Sequence, residues 1–543
     1  MKKTDSLSKY YSPGIKLIHL EQAHSWCARG HKLKEPSNEE MKLMTNLSIG
    51  YGAKGIMYFA YNSFNNSYDT TNQEYGRGLT EPDGSPRHNN VYGQDKWNGV
   101  KQINNTLTKW GPTIMKFDNN LSKSFIYRET SERNILKNDY HYDLLSYKQK
   151  INQYNVPEDN IEPENSRYLQ MSLFSENIQA YPFINAKYFM ITNRRCSPYI
   201  DNETSDKIGG KRNIKLRLRS SGLWFNRFRN VSLINIENDS VTKVFYNNPN
   251  YVVTYDTLDL GWFNPGEAKI FKMLPTMMAG GTLVAGEDFG FYNFICDGKV
   301  KNGGNDIYIA DSTTINFTAK GSIEMNGGNL LCAADHYFIT LKGKDNVNWN
   351  GLSLTNCDFL MKNTKIENTS SIAVSATNCN YTDFNNCIFN VNSNGIRVSY
   401  LGNTNVCNAY ITNCKFNISN PSTFSCDLKG NASGQINVFM NGNEFSGNNN
   451  IAAVIIKSGI GTIKNNKIIN YKNGFIASSS SIDFYNNQIS SSTIDAIGIS
   501  ADVLSRINLG IDGSGNFTGG KNNIDLTGSN SNNISVENSY FNI

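Results

Sequence analysis

The residues able to do chemistry cluster near the start of the chain. Glu21 and Gln22 follow a short apolar run, Lys16-Leu17-Ile18-His19-Leu20, that predicts a strand. A carboxylate at a strand end is the residue type that glycoside hydrolysis needs, but that reaction takes two carboxyl groups about 5–9.5 Å apart. Glu21 is the single acid at this strand end. Neighbouring side chains on a strand face opposite ways, so only Glu21 or Gln22 can point into a given site. Trp26, Tyr58 and Tyr61 are ring-bearing residues that could stack on a sugar, although core or rim packing explains them as well. His24, Cys27 and His31 share a short stretch, but no fourth ligand follows in sequence, so no metal site is expected.

Further acids are scattered along the second half: Asp335, Asp358, Asp383, Asp427, Asp483, Asp495 and Asp512. The Asp-Asp, Gly-His-Gly and Arg-Ile-Lys strings of pectinolytic hydrolases do not occur. Asn394-Gly395-Ile396-Arg397-Val398 matches the last only faintly, and His336 beside Asp335 is the sole histidine there. These acids read first as solvated coil edges.

The elements that must position such residues change character along the chain. Asn356-Cys357-Asp358-Phe359 returns as Asn386-Cys387-Ile388-Phe389 and Asn413-Cys414-Lys415-Phe416. It degenerates into Gly442-Asn443-Glu444-Phe445, Asn465-Asn466-Lys467-Ile468, Asn486-Asn487-Gln488-Ile489 and Asn538-Ser539-Tyr540-Phe541. A repeat of roughly 20–30 residues with short β-type runs and polar turns predicts a β-solenoid. Phe359, Phe389, Phe416, Phe445, Ile468, Ile489, Phe517 and Phe541 are expected to form one interior column. The asparagines are expected at turns, where they tolerate left-handed backbone and bond along the stack.

Most of the ten cysteines lie between Cys296 and Cys426, without a CxxC pair. Cys379 and Cys387, then Cys407 and Cys414, recur at matching points of successive coils. Inward thiol ladders are the first expectation, with disulfides and metal as the alternatives.

Two other regions precede the repeat. Pro36-Ser37-Asn38-Glu39-Glu40 carries a capping box, and a helix is expected through Ile49. Ala53 to Tyr61 is almost wholly apolar, as for a parallel strand buried on both faces. A second helix is expected from Gln94 to about Trp110, with Val100, Ile103 and Leu107 on one face. The strings Gln22-Ala23-His24, Pro36-Ser37-Asn38-Glu39-Glu40 and Tyr51-Gly52-Ala53-Lys54-Gly55-Ile56-Met57-Tyr58-Phe59-Ala60-Tyr61 resemble the last two βα units of β-galactosidase-like barrel glycoside hydrolases. From about Phe117 to Pro275, alternating strands end in Leu258 to Phe271 around Pro265-Gly266. This stretch is similar to the β-sandwich that follows the barrel in many glycosidases. The solenoid resembles right-handed parallel β-helix proteins.

The expected fold is therefore mainly β: an incomplete (β/α) barrel segment over 1–115, a β-sandwich over 116–276 and a right-handed parallel β-helix over 277–543. The resemblance implies that strand four, which carries one carboxylate of the pair, is absent. Glu21 is then at most a former nucleophile, and Gln22 is the rival at the functional tip.

The expected function is a fragment of an exported carbohydrate-active protein that binds polysaccharide or another glycan and does not cleave it. The alternatives are a surface adhesin or structural β-helix protein, and a β-helix polysaccharide lyase or hydrolase. No cofactor is expected. A net charge of +5 without a Lys/Arg block argues against nucleic acid. No apolar run is long enough to span a membrane. Met1-Lys2-Lys3 leads into Thr4-Asp5-Ser6, so no signal peptide is expected in this chain. The composition nevertheless suits a secreted or cell-surface protein, so truncation at both ends is expected. Neither the sugar nor the oligomeric state is specified by these residues.

Overall fold

The computed structural model describes residues 17–542 except 29–30, 60, 67–73, 118–122, 127–144, 153–168, 177–186, 195, 197–211, 220–227, 249–254, 291, 403–405, 432–434, 503, 510–521 and 537–539. The chain divides into two compact units. One comprises Met1–Asn226, Leu233–Lys243 and Asn247–Leu274; the other comprises Arg227–Ser232, Val244–Tyr246 and Pro275–Ile543.

In the first unit, strands Ile18–Gln22 and Gly55–Phe59 pair in parallel, with Glu21 opposite Tyr58. The helix Asn38–Gly50 starts as its capping box requires. Ser37 accepts from the Glu40 amide, and the Glu40 carboxylate accepts from the Ser37 amide. The second helix, Lys96–Ile114, is capped by Asp95, whose side chain accepts from the Asn98 amide. Its apolar face packs Val100 and Ile103 with Ala23, Met41 and Leu79, and Leu107 lies against them.

The expectation that the strand through Met57 is buried on both faces is corrected here. The helix-facing side packs, but Ile18, Leu20, Met57 and Phe59 on the other side are each more than half exposed. Two strands with helices on one side leave the alternate residues of both strands uncovered. Strands His31–Leu33, Ser25–Ala28, Glu74–Arg77 and Phe64–Asn66 form a small antiparallel sheet that the sequence did not suggest.

Two further antiparallel sheets follow. One has the order Ser240–Tyr246, Asn230–Asn235, Ala268–Pro275, Lys187–Asn193, Leu169–Ser175, Lys123–Ile126; the other has the order Tyr255–Phe263, Arg212–Arg219, Leu145–Asn152. The strands on either side of Pro265-Gly266 therefore belong to different sheets, so this turn carries the chain from one to the other. Gly266 has φ +70, and a Cβ there would sit 2.3 Å from the Glu39 carbonyl oxygen of the first helix. The β-type run Tyr251-Val252-Val253 of this region lies outside the described residues.

The second unit contains a right-handed parallel β-solenoid. One face is an eleven-stranded sheet running from Glu287–Phe289 to Tyr540–Asn542. The other two faces merge into a nineteen-stranded sheet, because Glu444–Lys457 and Lys467–Ser478 each run continuously through both. Alternating burial along the strands places every second side chain inside.

The single interior column is also corrected. Phe389, Phe416, Phe445, Ile468 and Ile489 do align, and the rings of Phe389 and Phe416 stack with centroids 4.7 Å apart. Phe359 and Phe541 instead align on the eleven-stranded face, with Thr382, Ala409, Val438, Gly461, Ile482 and Ile507 between them. Phe517 lies outside the described residues.

The reason is that two corners of the coil use the same chemistry. At one corner Asn386, Asn413, Gly442, Asn465 and Asn486 take φ between +50° and +70°. The residue after each points inward as a buried rung: Cys387, Cys414, Asn443, Asn466 and Asn487. At the other corner Asn356 and Asn378 play the left-handed part, and Cys357 and Cys379 the buried part.

The rungs bond from coil to coil. The Cys414 amide donates to Asn443 Oδ1 at 2.9 Å, the Asn443 amide to Asn466 Oδ1 at 3.0 Å and the Asn466 amide to Asn487 Oδ1 at 3.0 Å. Cysteine continues the same ladder, with the Cys387 amide 3.4 Å from Cys414 Sγ. The nine cysteines from Cys196 to Cys426 are free thiols, and eight of them are buried. Burial pushes the Cys332 and Cys407 thiols up to about 12, so they stay protonated and pack as small apolar groups.

Candidate functional site

The first-unit candidates separate. Glu21 and Tyr58 are opposite each other on the helix-facing side of the parallel strand pair. Glu21 is fully buried, and its Oε2 accepts from Thr45 Oγ1 at 2.5 Å. Its Oε1 has no hydrogen-bond partner among the described residues. Burial without a cation pushes the Glu21 carboxyl up to about 8, against the small lowering from Thr45. Burial, followed by the nearby Glu21 charge, also raises the Tyr58 phenol.

Gln22 occupies the opposite side, where its amide donates to the carbonyls of His24 at 2.9 Å and Lys34 at 2.8 Å. It acts there as a clamp between two backbone segments. Trp26 is exposed on the small antiparallel sheet, and Tyr61 is exposed with its ring edge-on to Trp97. These five residues do not converge on one cavity. His24 Nδ1 lies 2.7 Å from the Phe59 carbonyl oxygen. No group of three or more His, Cys, Asp or Glu residues suited to a metal occurs among the described residues.

A buried charge cluster in this unit is structural. Glu35 accepts from Arg87 at 2.6 and 3.1 Å, from Lys96 Nζ at 2.8 Å and from the Val91 amide at 3.1 Å. All three charged side chains are at least 96% buried. Every Glu35 oxygen is occupied, so the cluster ties the loop before the second helix to the segment before the first.

A different arrangement emerges on the solenoid. The outward residues of the eleven-stranded sheet fall into three parallel register columns. Tyr381 lies in the first, Tyr410 and Phe439 in the second, and Lys464 and Tyr485 in the third. They belong to five successive strands, so they trace a diagonal across the face. Strands lie about 4.8 Å apart, so the track crosses about 19 Å of the sheet.

The rings of Tyr381 and Tyr410 are 5.5 Å apart between centroids, and those of Tyr410 and Phe439 are 6.2 Å apart. Lys464 Nζ sits 5.4 Å from the Phe439 ring and 5.9 Å from the Tyr485 ring. Tyr381 and Tyr410 are exposed, whereas Phe439 and Tyr485 are half-buried.

A carboxylate borders the track. Tyr381 donates its phenol to Asp383 Oδ2 at 3.0 Å, and partial burial raises the Asp383 carboxyl above the usual range. Asp483 occupies the same register column as Asp383, four strands further on. At about 4.8 Å per strand the two acids are about 19 Å apart, too far for a glycosidase pair.

The sequence held these rings in view without marking them. An outward aromatic is indistinguishable from an inward one until the strand register is known. Comparison of the chain with protein-family models, curated proteins and solved structures finds no match.

Proposed function

We propose that this chain is the glycan-binding part of an exported carbohydrate-active protein, and that it holds polysaccharide without cleaving it. The observation that carries this reading is the track through Tyr381, Tyr410, Phe439, Lys464 and Tyr485. Sugar rings present C–H faces that pack on aromatic rings, with hydroxyls around their rims that bond to polar neighbours. A row of mutually tilted rings on successive coils, flanked by Asp383, Asn408, Asn437 and Lys464, offers both kinds of contact along an extended chain.

The parallel strand pair with its two helices is read as a barrel-derived segment, and the two antiparallel sheets as a β-sandwich. Both follow the resemblance to glycoside hydrolases and support an extracellular or cell-surface setting. Binding without hydrolysis is supported by the wide separation of Asp383 and Asp483 and by the burial of Glu21 against Thr45.

The test is co-sedimentation with a panel of insoluble polysaccharides. At least one polymer should deplete the wild-type chain and not Tyr410→Ala. If none does, or if Tyr410→Ala is depleted equally, the adhesin or structural reading replaces this one.

A further inference from the structure

A second cluster lies on another face of the solenoid, on strands Asn394–Ser399, Phe424–Lys429 and Glu444–Lys457. Arg397 is in register with Asp427, and Lys429 lies between Ser399 and Lys457. Arg397 Nε donates to Asp427 Oδ2 at 2.9 Å, and Lys429 Nζ reaches the same oxygen at 2.7 Å. The Asp427 side chain is only 2% exposed, whereas Arg397 and Lys429 are each 35% exposed.

The guanidinium is held in two ways. Asp427 fixes its Nε edge, and the Phe424 ring lies beneath it with Cζ 5.1 Å from the centroid. Its Nη1 and Nη2 groups have no hydrogen-bond partner among the described residues. Asp427 Oδ1 is buried and has no hydrogen-bond partner among the described residues, so hydrogen bonding around the pair is incomplete there. Lys457, one strand further, is exposed and has no ion-pair partner among the described residues. Three cations against one carboxylate leave two positive charges on this patch.

An arginine fixed on one edge and stacked on a ring presents its other edge as a planar two-donor fork. That geometry matches a carboxylate or a sulfate. The neighbouring positions in register are hydroxyls: Ser375 beside Arg397, and Thr377 beside Ser399. We propose that Arg397, Lys429 and Lys457 form a subsite for the carboxylate or sulfate substituent of an acidic glycan. The Arg397 fork bonds the anion, and Asp427 holds the fork in place. This inference rests on the glycan-binding reading above and adds the charge class of the ligand.

The experiment compares two polymer pairs differing only in charge: polygalacturonate with its methyl ester, and dextran sulfate with dextran. Binding is measured at low and high salt for the wild type, Arg397→Lys and Lys457→Gln. The wild type is expected to prefer one charged polymer over its neutral partner by about tenfold or more at low salt, and to lose that preference as salt rises. The preferred charged polymer identifies the anion as carboxylate or sulfate.

Arg397→Lys keeps the charge and removes the fork. It should weaken charged binding about ten- to a hundredfold, with neutral binding and the melting temperature unchanged. A purely structural Arg397–Asp427 pair would shift melting and not charge preference. Equal affinity for charged and neutral polymers overturns this inference alone, as does unchanged charged binding in both variants. Failure of every polymer to bind the wild type overturns it together with the glycan reading.

Discussion

Glu21 shows what burial without a cation does to a carboxylate. Burial pushes its carboxyl up to about 8, against an ordinary value of 4.5. The folded state therefore binds the proton more tightly than the unfolded chain. The penalty is absent below about pH 4.5, grows as pH rises towards 8 and is constant above it. Glu21→Gln removes the titration and keeps the shape. Its melting temperature should equal that of the wild type near pH 4.5 and exceed it increasingly up to pH 8. The gain should rise by at most about 1.4 kcal/mol per pH unit. A flat difference across this range in thermal melts would show that Glu21 is already charged in the folded chain.

The corner ladder offers a second test at this scale. Asn466 Oδ1 accepts both the amide and the side chain of Asn443, at 3.0 and 2.8 Å. Asn466→Ala strands those donors in a dry interior and should cost about 1–3 kcal/mol. Asn466→Cys should cost less, because Cys414 already fills an equivalent rung and its sulfur lies within reach of the Cys387 amide. Urea unfolding of the two variants ranks them, and equal losses would count against the ladder.

At the scale of elements, the repeat carried the solenoid plainly, since left-handed asparagine, inward small residue and alternating strand recur through the coils from Asn356 to Asn487. The face of each strand was not legible. Asn356-Cys357 and Asn386-Cys387 are nearly the same phrase, yet they turn different corners. Both corners need a left-handed residue followed by a compact buried one, so the chemistry is identical. Phe359 was therefore assigned to a column that belongs to Phe389. The helix at Ser37 was legible because capping is local. The exposed face of Ile18, Leu20, Met57 and Phe59 was not, because an apolar run cannot show whether a covering layer exists.

Within the corrected column, Phe416 stacks between Phe389 and Phe445 at centroid distances of 4.7 and 4.9 Å. Phe416→Ala should cost about 3–5 kcal/mol. Because each coil touches its neighbours, hydrogen exchange should rise around Phe389 and Phe445 and stay unchanged at Phe359, which sits on another face and two coils away. Uniform loosening of the whole solenoid would contradict a local column.

For the whole molecule, the functional account rests on an assembly of rings that no local motif announces. Tyr381, Tyr410, Phe439 and Tyr485 come from four different coils. Only the strand register brings them into one diagonal, with Lys464 set between the last two rings. The Glu21, Gln22, Trp26, Tyr58 and Tyr61 set was drawn from proximity in sequence and from resemblance, and folding distributes it over different sides of one segment.

The most direct measurement is titration calorimetry of a soluble form of the retained polysaccharide against the wild type and Tyr410→Ala/Phe439→Ala. Removing two central rings should weaken binding by about 2 kcal/mol or more, roughly thirtyfold. Tyr410 is exposed and Phe439 half-buried on the outer face, so the far-ultraviolet spectrum should remain that of the folded solenoid. A folded double variant that binds the polymer as tightly as the wild type would contradict the account.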